Sequence, residues 1–339
     1  MKTTQRIIYL DIIRILACCM IVLMHSPHPH AGISGAILTP ISFLTAPGIG
    51  LFFMVSGALL LPINESTNKF LKKRLTKVLW PTIFWSLFYL FIKYVFKETT
   101  SDDIIHSIIS MPFSPQGHGI MWFMYTLIGL YLLAPIISPL LIQSSEKVIR
   151  FYLIIWGITL CFPYLNLVLD INNTITGPLY YFSGYIGYFV LGYYLHRYKP
   201  SIPAFIIGIL FFLPIILLAI FKYYRLPGDF YDLFWYLSLP VAMMSIAWFV
   251  TLSKFRTLSN TRTIQILKEI SCCCFGIYLI HIFIMRRILW NVDYIVYNYG
   301  GIIQIILTAI LTFIISFTII YAISWLPKSH YLIGYSHKR

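Results

Sequence analysis

The stretch from Ile7 to Ser26 reads IIYLDIIRILACCMIVLMHS. A helix of about 20 residues, rising about 1.5 Å per residue, spans the hydrocarbon core of a bilayer. Three side chains resist that simple reading: Asp11, Arg14 and His25. A charge at the centre of a membrane helix costs about 2.5–3.5 kcal/mol on insertion scales. At 100° per residue, Arg14 and His25 fall within about 20° of each other, and Asp11 lies roughly 40° from His25. Cys18 continues the stripe one turn beyond Arg14. Positions such as Ile12, Ile15, Leu16, Ile21, Val22 and Leu23 are apolar. The first segment therefore reads as a membrane helix with one wet or polar-lined face. Periodicity alone leaves two accounts of that face open. It is a structural Asp11–Arg14 pair with Arg14 snorkelling and His25 at the far interface, or it is a functional surface.

The rest of the chain has the same character. Of 339 residues, 59% are hydrophobic and 11% charged, and the mean hydropathy is +0.81. A soluble domain carries about 25% charged residues, so too little charge is present to coat a water-exposed surface. Lipid admits helices or closed barrels as spanning structures. Barrel strands alternate apolar and polar residues over about ten positions. This sequence instead has unbroken apolar runs of roughly 18 to 25 residues. The expected fold is an all-α integral membrane protein, a single polytopic domain over residues 1–339 with no separate soluble domain. The runs predict a bundle of about ten transmembrane helices, at 7–26, 41–61, 78–96, 120–142, 149–165, 178–196, 202–222, 232–252, 270–289 and 301–325. Residues 1–6 are too short for a signal-peptide n-region, so the first run is expected to remain as a helix.

Charge placement gives the expected orientation. The formal net charge is +14, but the cations lie in short loops between apolar runs, without the aromatic interleaving of a nucleic-acid surface. Counted by loop, one side of the ten-helix arrangement holds about 18 of the 25 basic residues, among them Lys2, Arg6, Lys69, Lys72, Lys73, Arg74, Lys77, Arg256 and Lys338. The other side holds about six, including Lys93, Lys97, Arg286 and Arg287. The positive-inside rule then makes both termini cytoplasmic. The longest outer loop, 97–119, carries Asp102, Asp103, His106 and His118.

Other polar groups need weighing against plainer roles. His281 lies in the outer half of ISCCCFGIYLIHIFIM, whose Ser271 and Tyr278 are seven apart and share a helix face. A lone membrane histidine is more often a hydrogen-bonded interior residue than a catalyst. In FLKKRLTKVLWP, Lys72, Lys73, Arg74 and Lys77 crowd the cytoplasmic mouth of the third helix. They serve either topology and headgroup contact or the binding of an anionic, phosphate-bearing ligand. The six cysteines form no CxxC and read as small buried thiols. His25, His28 and His30 are separated by Pro27 and Pro29, with no carboxylate or cysteine nearby, so no metal site is expected.

These residues resemble a known family. Asp11, Arg14 and His25 form D-x-x-R-x10-H, similar to the opening signature of the acyltransferase-3 family of integral membrane acyltransferases. Further matches follow in chain order. GLFFMVSGALL is similar to the family's FF-x-x-SG segment around Ser56 and Gly57. FLKKRLTKVLWP resembles its F-x-x-x-R-x-x-R-x-x-P stretch, with Lys77 in place of the second arginine. WFMYTLIGLYLLAPII resembles its WF-x-x-x-L-x-x-Y-L-x-x-P segment, with Trp122, Phe123, Tyr131 and Pro135. Many relatives carry a histidine two residues before that tryptophan; here Ile120 stands there and His118 lies two further back. FSGYIGYFVLGYYL and SCCCFGIYLIHIFI match later segments. The length, without a fused esterase-like domain, is similar to the enterobacterial-common-antigen O-acetyltransferase group.

The resemblance implies an enzyme of the bacterial inner membrane that moves an acetyl group from cytoplasmic acetyl-CoA to a hydroxyl of a surface glycan or lipid-linked saccharide. It implies His25 as general base, Arg14 at the thioester or oxyanion, and Asp11 holding Arg14. Lys73, Arg74 and Lys77 would bind the donor, and Ser56, Trp122, Tyr278 and His281 would line the site. Succinyl or another short acyl group would use the same residues, and an acyl-histidine intermediate stays open. A different class is also open: a transporter or flippase using Asp11, Arg14, His25 and His281 as a relay. No inverted repeat supports it, and transfer without any ion gradient would separate the two. A structural scaffold is disfavoured by the clustered charges on one helix face.

Overall fold

The computed structural model describes residues 6–29, 33–169, 177–255, 260–292 and 301–337. Lys2, His30, Arg256 and Lys338, which entered the topology and the histidine spacing, lie outside the described residues. Among those described, every regular element is helical. The helices are α1 (Ile8–His25), α2 (Gly35–Thr45), α3 (Pro47–Leu60), α4 (Thr67–Val95), α5 (Ser101–Ser110), α6 (Trp122–Gln143), α7 (Glu146–Thr159) and α8 (Phe162–Leu169). They continue with α9 (Ile186–Tyr198), α10 (Ala204–Tyr223), α11 (Phe230–Leu233), α12 (Leu239–Leu252), α13 (Thr261–Arg287), α14 (Gly301–Ser324) and α15 (His330–Ile333).

Seven of these segments are long and apolar enough to cross a membrane, with α2 and α3 forming one. An eighth forms if α7 and α8, bent by 43°, count together. The chain is therefore a multi-pass membrane protein. The expected spans at 178–196 and 232–252 contain only α9, of 13 residues, and α12, of 14. At about 1.5 Å per residue neither crosses a bilayer alone. Both begin after a break, at Ser183–Tyr185 and at Phe234–Ser238.

Two packing contacts fix the centre. Helices α3 and α9 run antiparallel and touch backbone to backbone at two glycines. A Cβ on Gly57 would fall 1.7 Å from the Phe189 carbonyl oxygen, and one on Gly192 would fall 1.9 Å from that of Met54. Lipid tails are as apolar as leucine, so close approach through small residues is what holds membrane helices together. Helices α1 and α13 run parallel and meet along the polar stripe of α1. Ser271 donates to Asp11 at 2.6 Å, Cys18 Sγ donates to the Cys274 carbonyl at 3.7 Å, and His281 faces His25 at 3.4 Å. The stripe is thus buried against one neighbour.

The cysteines are all free thiols but not all buried. Cys18, Cys273 and Cys274 are buried, Cys161 and Cys272 are partly buried, and Cys19 is exposed. His28 packs its ring on Trp290 with centroids 4.9 Å apart. The first and last described residues share one end of the bundle: Arg6 reaches the Lys268 carbonyl at 3.5 Å, and His337 lies 3.5 Å from Glu269.

The glycine crossing gives a direct prediction. Gly57→Ala forces its methyl into a backbone oxygen and is expected to cost about 3 kcal/mol, the upper end of overpacking penalties. Gly129→Ala in α6 meets nothing within 4 Å and should be neutral or stabilising by up to about 1 kcal/mol. Thermal unfolding of both variants in detergent checks the pair.

Candidate active site

Asp11 is 7% exposed and needs partners at that depth. The expected Arg14 pairs with it only at the limit of an ion pair, and a closer cation takes the carboxylate. Arg6 grips it with two hydrogen bonds, Nε to Oδ2 at 2.5 Å and Nη2 to Oδ1 at 2.8 Å. Arg14 stays 4.0 Å away. Ser271 bridges instead, donating to Asp11 Oδ1 and accepting from Arg14 Nη1 at 3.1 Å. Arg6 therefore neutralises the carboxylate, which leaves most of the Arg14 guanidinium free to face elsewhere.

Arg14 faces a cavity of about 260 Å³. Its walls also carry Ser56, Arg74, Lys77, Tyr131, Ser271, Cys272 and Tyr278, with Phe52 and Phe123 as apolar surface. Among the described residues, three cations and no carboxylate line it. The Nε of Arg74 is buried without a hydrogen-bond partner, which is rare for a buried polar group. The C-terminal hook completes the wall with Gly334 and Tyr335. Gly334 has φ +69°, and a Cβ there would lie 3.0 Å from the Lys77 carbonyl oxygen and 2.8 Å from the Phe275 ring. Trp85 anchors the hook by donating to the Leu332 carbonyl at 2.9 Å.

The inner wall of the cavity leads to the histidines. Tyr278 is buried and donates to the Ile120 carbonyl at 2.6 Å. Its ring lies 5.0 Å from Phe123 and 5.7 Å from His281, centroid to centroid. His281 is fully buried, and its ring centroid is 5.2 Å from that of His25. A carbonyl only accepts, so the nitrogen facing it must carry the proton. His281 Nδ1 donates to the Tyr278 carbonyl at 2.6 Å, and His25 Nδ1 donates to the Ile21 carbonyl at 2.8 Å. This assigns the Nδ1–H tautomer to both neutral rings. His281 Nε2 then accepts a share of the His25 Nδ1 proton at 3.4 Å, and His25 keeps an unprotonated Nε2. Eleven residues of helix separate Arg14 from His25, about 16 Å along the axis.

The arrangement sorts the expected site residues. Arg14, Ser56, Arg74, Lys77 and Tyr278 meet in one cavity, and His25 and His281 form a pair behind it. Lys73 does not join them; it points to Glu65 at 3.5 Å. Trp122 does not line the cavity either. It packs on Tyr185 and Tyr236, with centroids 5.2 and 5.6 Å away. His118 sits against Arg286 Nη1 at 3.2 Å. Burial, then the charges of Arg286 and Lys93, lower its pKa to about 4. The sequence reading passed over Arg6 as a loop charge and gave no role to Tyr335. A cation five residues before a buried aspartate was the available signal for the first. The second depends on a chain reversal that no local pattern announces. No cluster of metal-ligating side chains occurs among the described residues.

The Asp11 network predicts a stability effect. Arg6→Ala strands a buried carboxylate and is expected to destabilise the protein by about 1–3 kcal/mol, less than a fully buried pair because Arg6 is partly exposed. Asp11→Asn added to Arg6→Ala should recover part of that loss. Thermal unfolding of the two single variants and the double variant gives the coupling.

A model of the acyltransferase-domain family matches residues 7–325. No curated protein and no solved structure matches the chain. The family match covers nearly the whole chain, including every residue of the Arg14 cavity except Gly334 and Tyr335. The chain belongs to the acyltransferase-3 family of membrane acyltransferases.

Proposed function

We propose that the protein transfers an acetyl group from cytoplasmic acetyl-CoA to a hydroxyl of a cell-envelope glycan or lipid-linked saccharide, across the bacterial inner membrane. The observation that carries this is the cavity lined by Arg14, Arg74 and Lys77, connected through Tyr278 and His281 to His25. A cationic, carboxylate-free cavity suits a donor rich in phosphate. Its volume of about 260 Å³ lies just under the usual small-molecule range, so it accepts part of the donor at a time. In this reading both termini are cytoplasmic, about ten segments cross or enter the membrane, and the Arg14 end faces the cytoplasm, as the loop charges require.

The chemistry follows from the two ends. Arg74 and Lys77 hold donor phosphates, and the thioester arm reaches inward past Phe52 and Phe123. His25 Nε2 takes the proton of the acceptor hydroxyl. The oxygen attacks the thioester carbonyl, the C–S bond breaks, and the thiol leaves with the proton that His25 received. His281 holds the His25 ring in the tautomer that leaves Nε2 free. Arg14 and Ser271 orient the donor on its way to the acyl position. Direct transfer needs no covalent intermediate, because both substrates meet at one base.

Labelled acetyl-CoA supplied to membranes containing the protein, with label counted in the glycan, tests the reading. His25→Ala is expected to abolish transfer while insertion is unchanged. Arg74→Ala is expected to raise the donor KM roughly tenfold, the loss of one charge-assisted contact, with little change in kcat. Transfer retained by His25→Ala removes the assigned base. Wild-type membranes that label nothing while moving saccharide across the bilayer favour the flippase alternative.

A further inference from the structure

The His25 end of the bundle carries a second cavity, of about 580 Å³, which the reaction described above does not use. It lies between α8, α11 and the starts of α9 and α12. Five aromatic side chains line it: Phe162, Tyr185, Tyr231, Trp235 and Tyr236. Asn166, Asp229 and Asp232 supply the polar edge, and no lysine or arginine lines it among the described residues. Asp232 is exposed and forms no hydrogen bond or ion pair among the described residues. Asp229 Oδ1 accepts from the Tyr231 backbone at 2.6 Å, which leaves its second oxygen to the cavity. The walls are tied together: the Tyr164 hydroxyl of α8 donates to the Leu233 carbonyl of α11.

A chain of aromatic contacts links this cavity to the residue beside His25. Its rings run from Tyr231 to Trp235 at 5.0 Å and from Trp235 to Tyr236 at 4.4 Å. Trp122 then stacks on Tyr236 at an interplanar angle of 27°. The Tyr236 hydroxyl donates to Met24 Sδ at 3.2 Å, and Met24 is the residue before His25. A sugar ring has an apolar C–H face and a rim of hydroxyls. Flat aromatic side chains match the first, and carboxylate and amide groups match the second. Another cavity, lined by Lys93, Arg286 and Arg287 with Glu98, has the opposite charge.

Resting on the reading of the chain as a glycan acyltransferase, we infer that the aromatic and acidic cavity is the acceptor subsite. It takes a neutral, hydroxyl-rich sugar ring and directs the reacting hydroxyl past Trp122 and Tyr236 to His25. The two aspartates repel a carboxylated sugar, so uronic acids are excluded from this position.

Binding without any donor tests this apart from transfer. The full chain is placed in lipid nanodiscs, free of glycoside detergent that would compete. Methyl glucoside, methyl N-acetylglucosaminide and methyl glucuronide are titrated by saturation-transfer NMR. The neutral glycosides are expected to bind the wild type. Trp235→Ala should weaken that binding roughly tenfold, and Asp232→Asn, a conservative change at an exposed site, roughly fivefold. The glucuronide should bind at least about tenfold more weakly than the glucoside. Absence of neutral glycoside binding to the wild type, binding unchanged in both variants, or preference for the glucuronide overturns the proposal. Glycoside binding without acetyl transfer would sink the transferase reading alone. Transfer with an acceptor KM unchanged in both variants would sink the subsite alone.

Discussion

The polar seam between α1 and α13 is the constraint on which the rest of the structure depends. A membrane helix carrying Asp11, Arg14 and His25 has no stable place facing lipid. Helix α13 supplies partners in order along its length, Ser271 for the carboxylate and guanidinium, the Cys274 carbonyl for a thiol, and His281 for the imidazole. Pairing in sequence order makes the two helices parallel and sets their register. That register separates the seam into a charged end and an imidazole end. Helix α4 follows the same direction, with Lys77 at the charged end and Tyr89 donating to the Leu279 carbonyl near the other.

The two ends of the seam differ in chemistry. Cations gather at the Arg14 end, and the carboxylate that would neutralise Arg14 is held by Arg6. The imidazoles lie about 16 Å away, behind an aromatic layer of Phe123 and Tyr278. Short helices serve this plan. The glycine crossing of α3 and α9 brings Phe52 and Ser56 to the cavity wall, and α9 and α12 begin deep enough for Tyr185 and Tyr236 to flank Trp122.

Much of this was legible before any coordinates. The 100° periodicity of α1 placed its polar groups on one face because helix geometry is fixed locally. The seven-residue spacing of Ser271 and Tyr278 placed both on the cavity wall for the same reason. Of the basic run, Arg74 and Lys77 line the Arg14 cavity, and spacing could not say that Lys73 would turn to Glu65. Span length was the weaker inference. Residues 178–196 and 232–252 are apolar enough to cross, yet each breaks before a short helix, and a hydropathy run does not record a break. The Arg6–Asp11 grip and the Tyr335 hook depend on chain ends folding back, which periodicity does not encode. The aromatic and acidic cavity was invisible for a further reason: its described lining residues come from three separate stretches, 159–167, Tyr185 and 228–237, and none forms a motif alone.

In the proposed reaction, donor and acceptor work from opposite ends of one seam. The most direct measurement uses proteoliposomes with the protein inserted in a single orientation, labelled acetyl-CoA on one face and saccharide acceptor on the other. Label should appear in the acceptor only when the donor is on the Arg14 face and the acceptor on the His25 face. Equal labelling from either face, or labelling only when both substrates share the His25 face, would contradict the account.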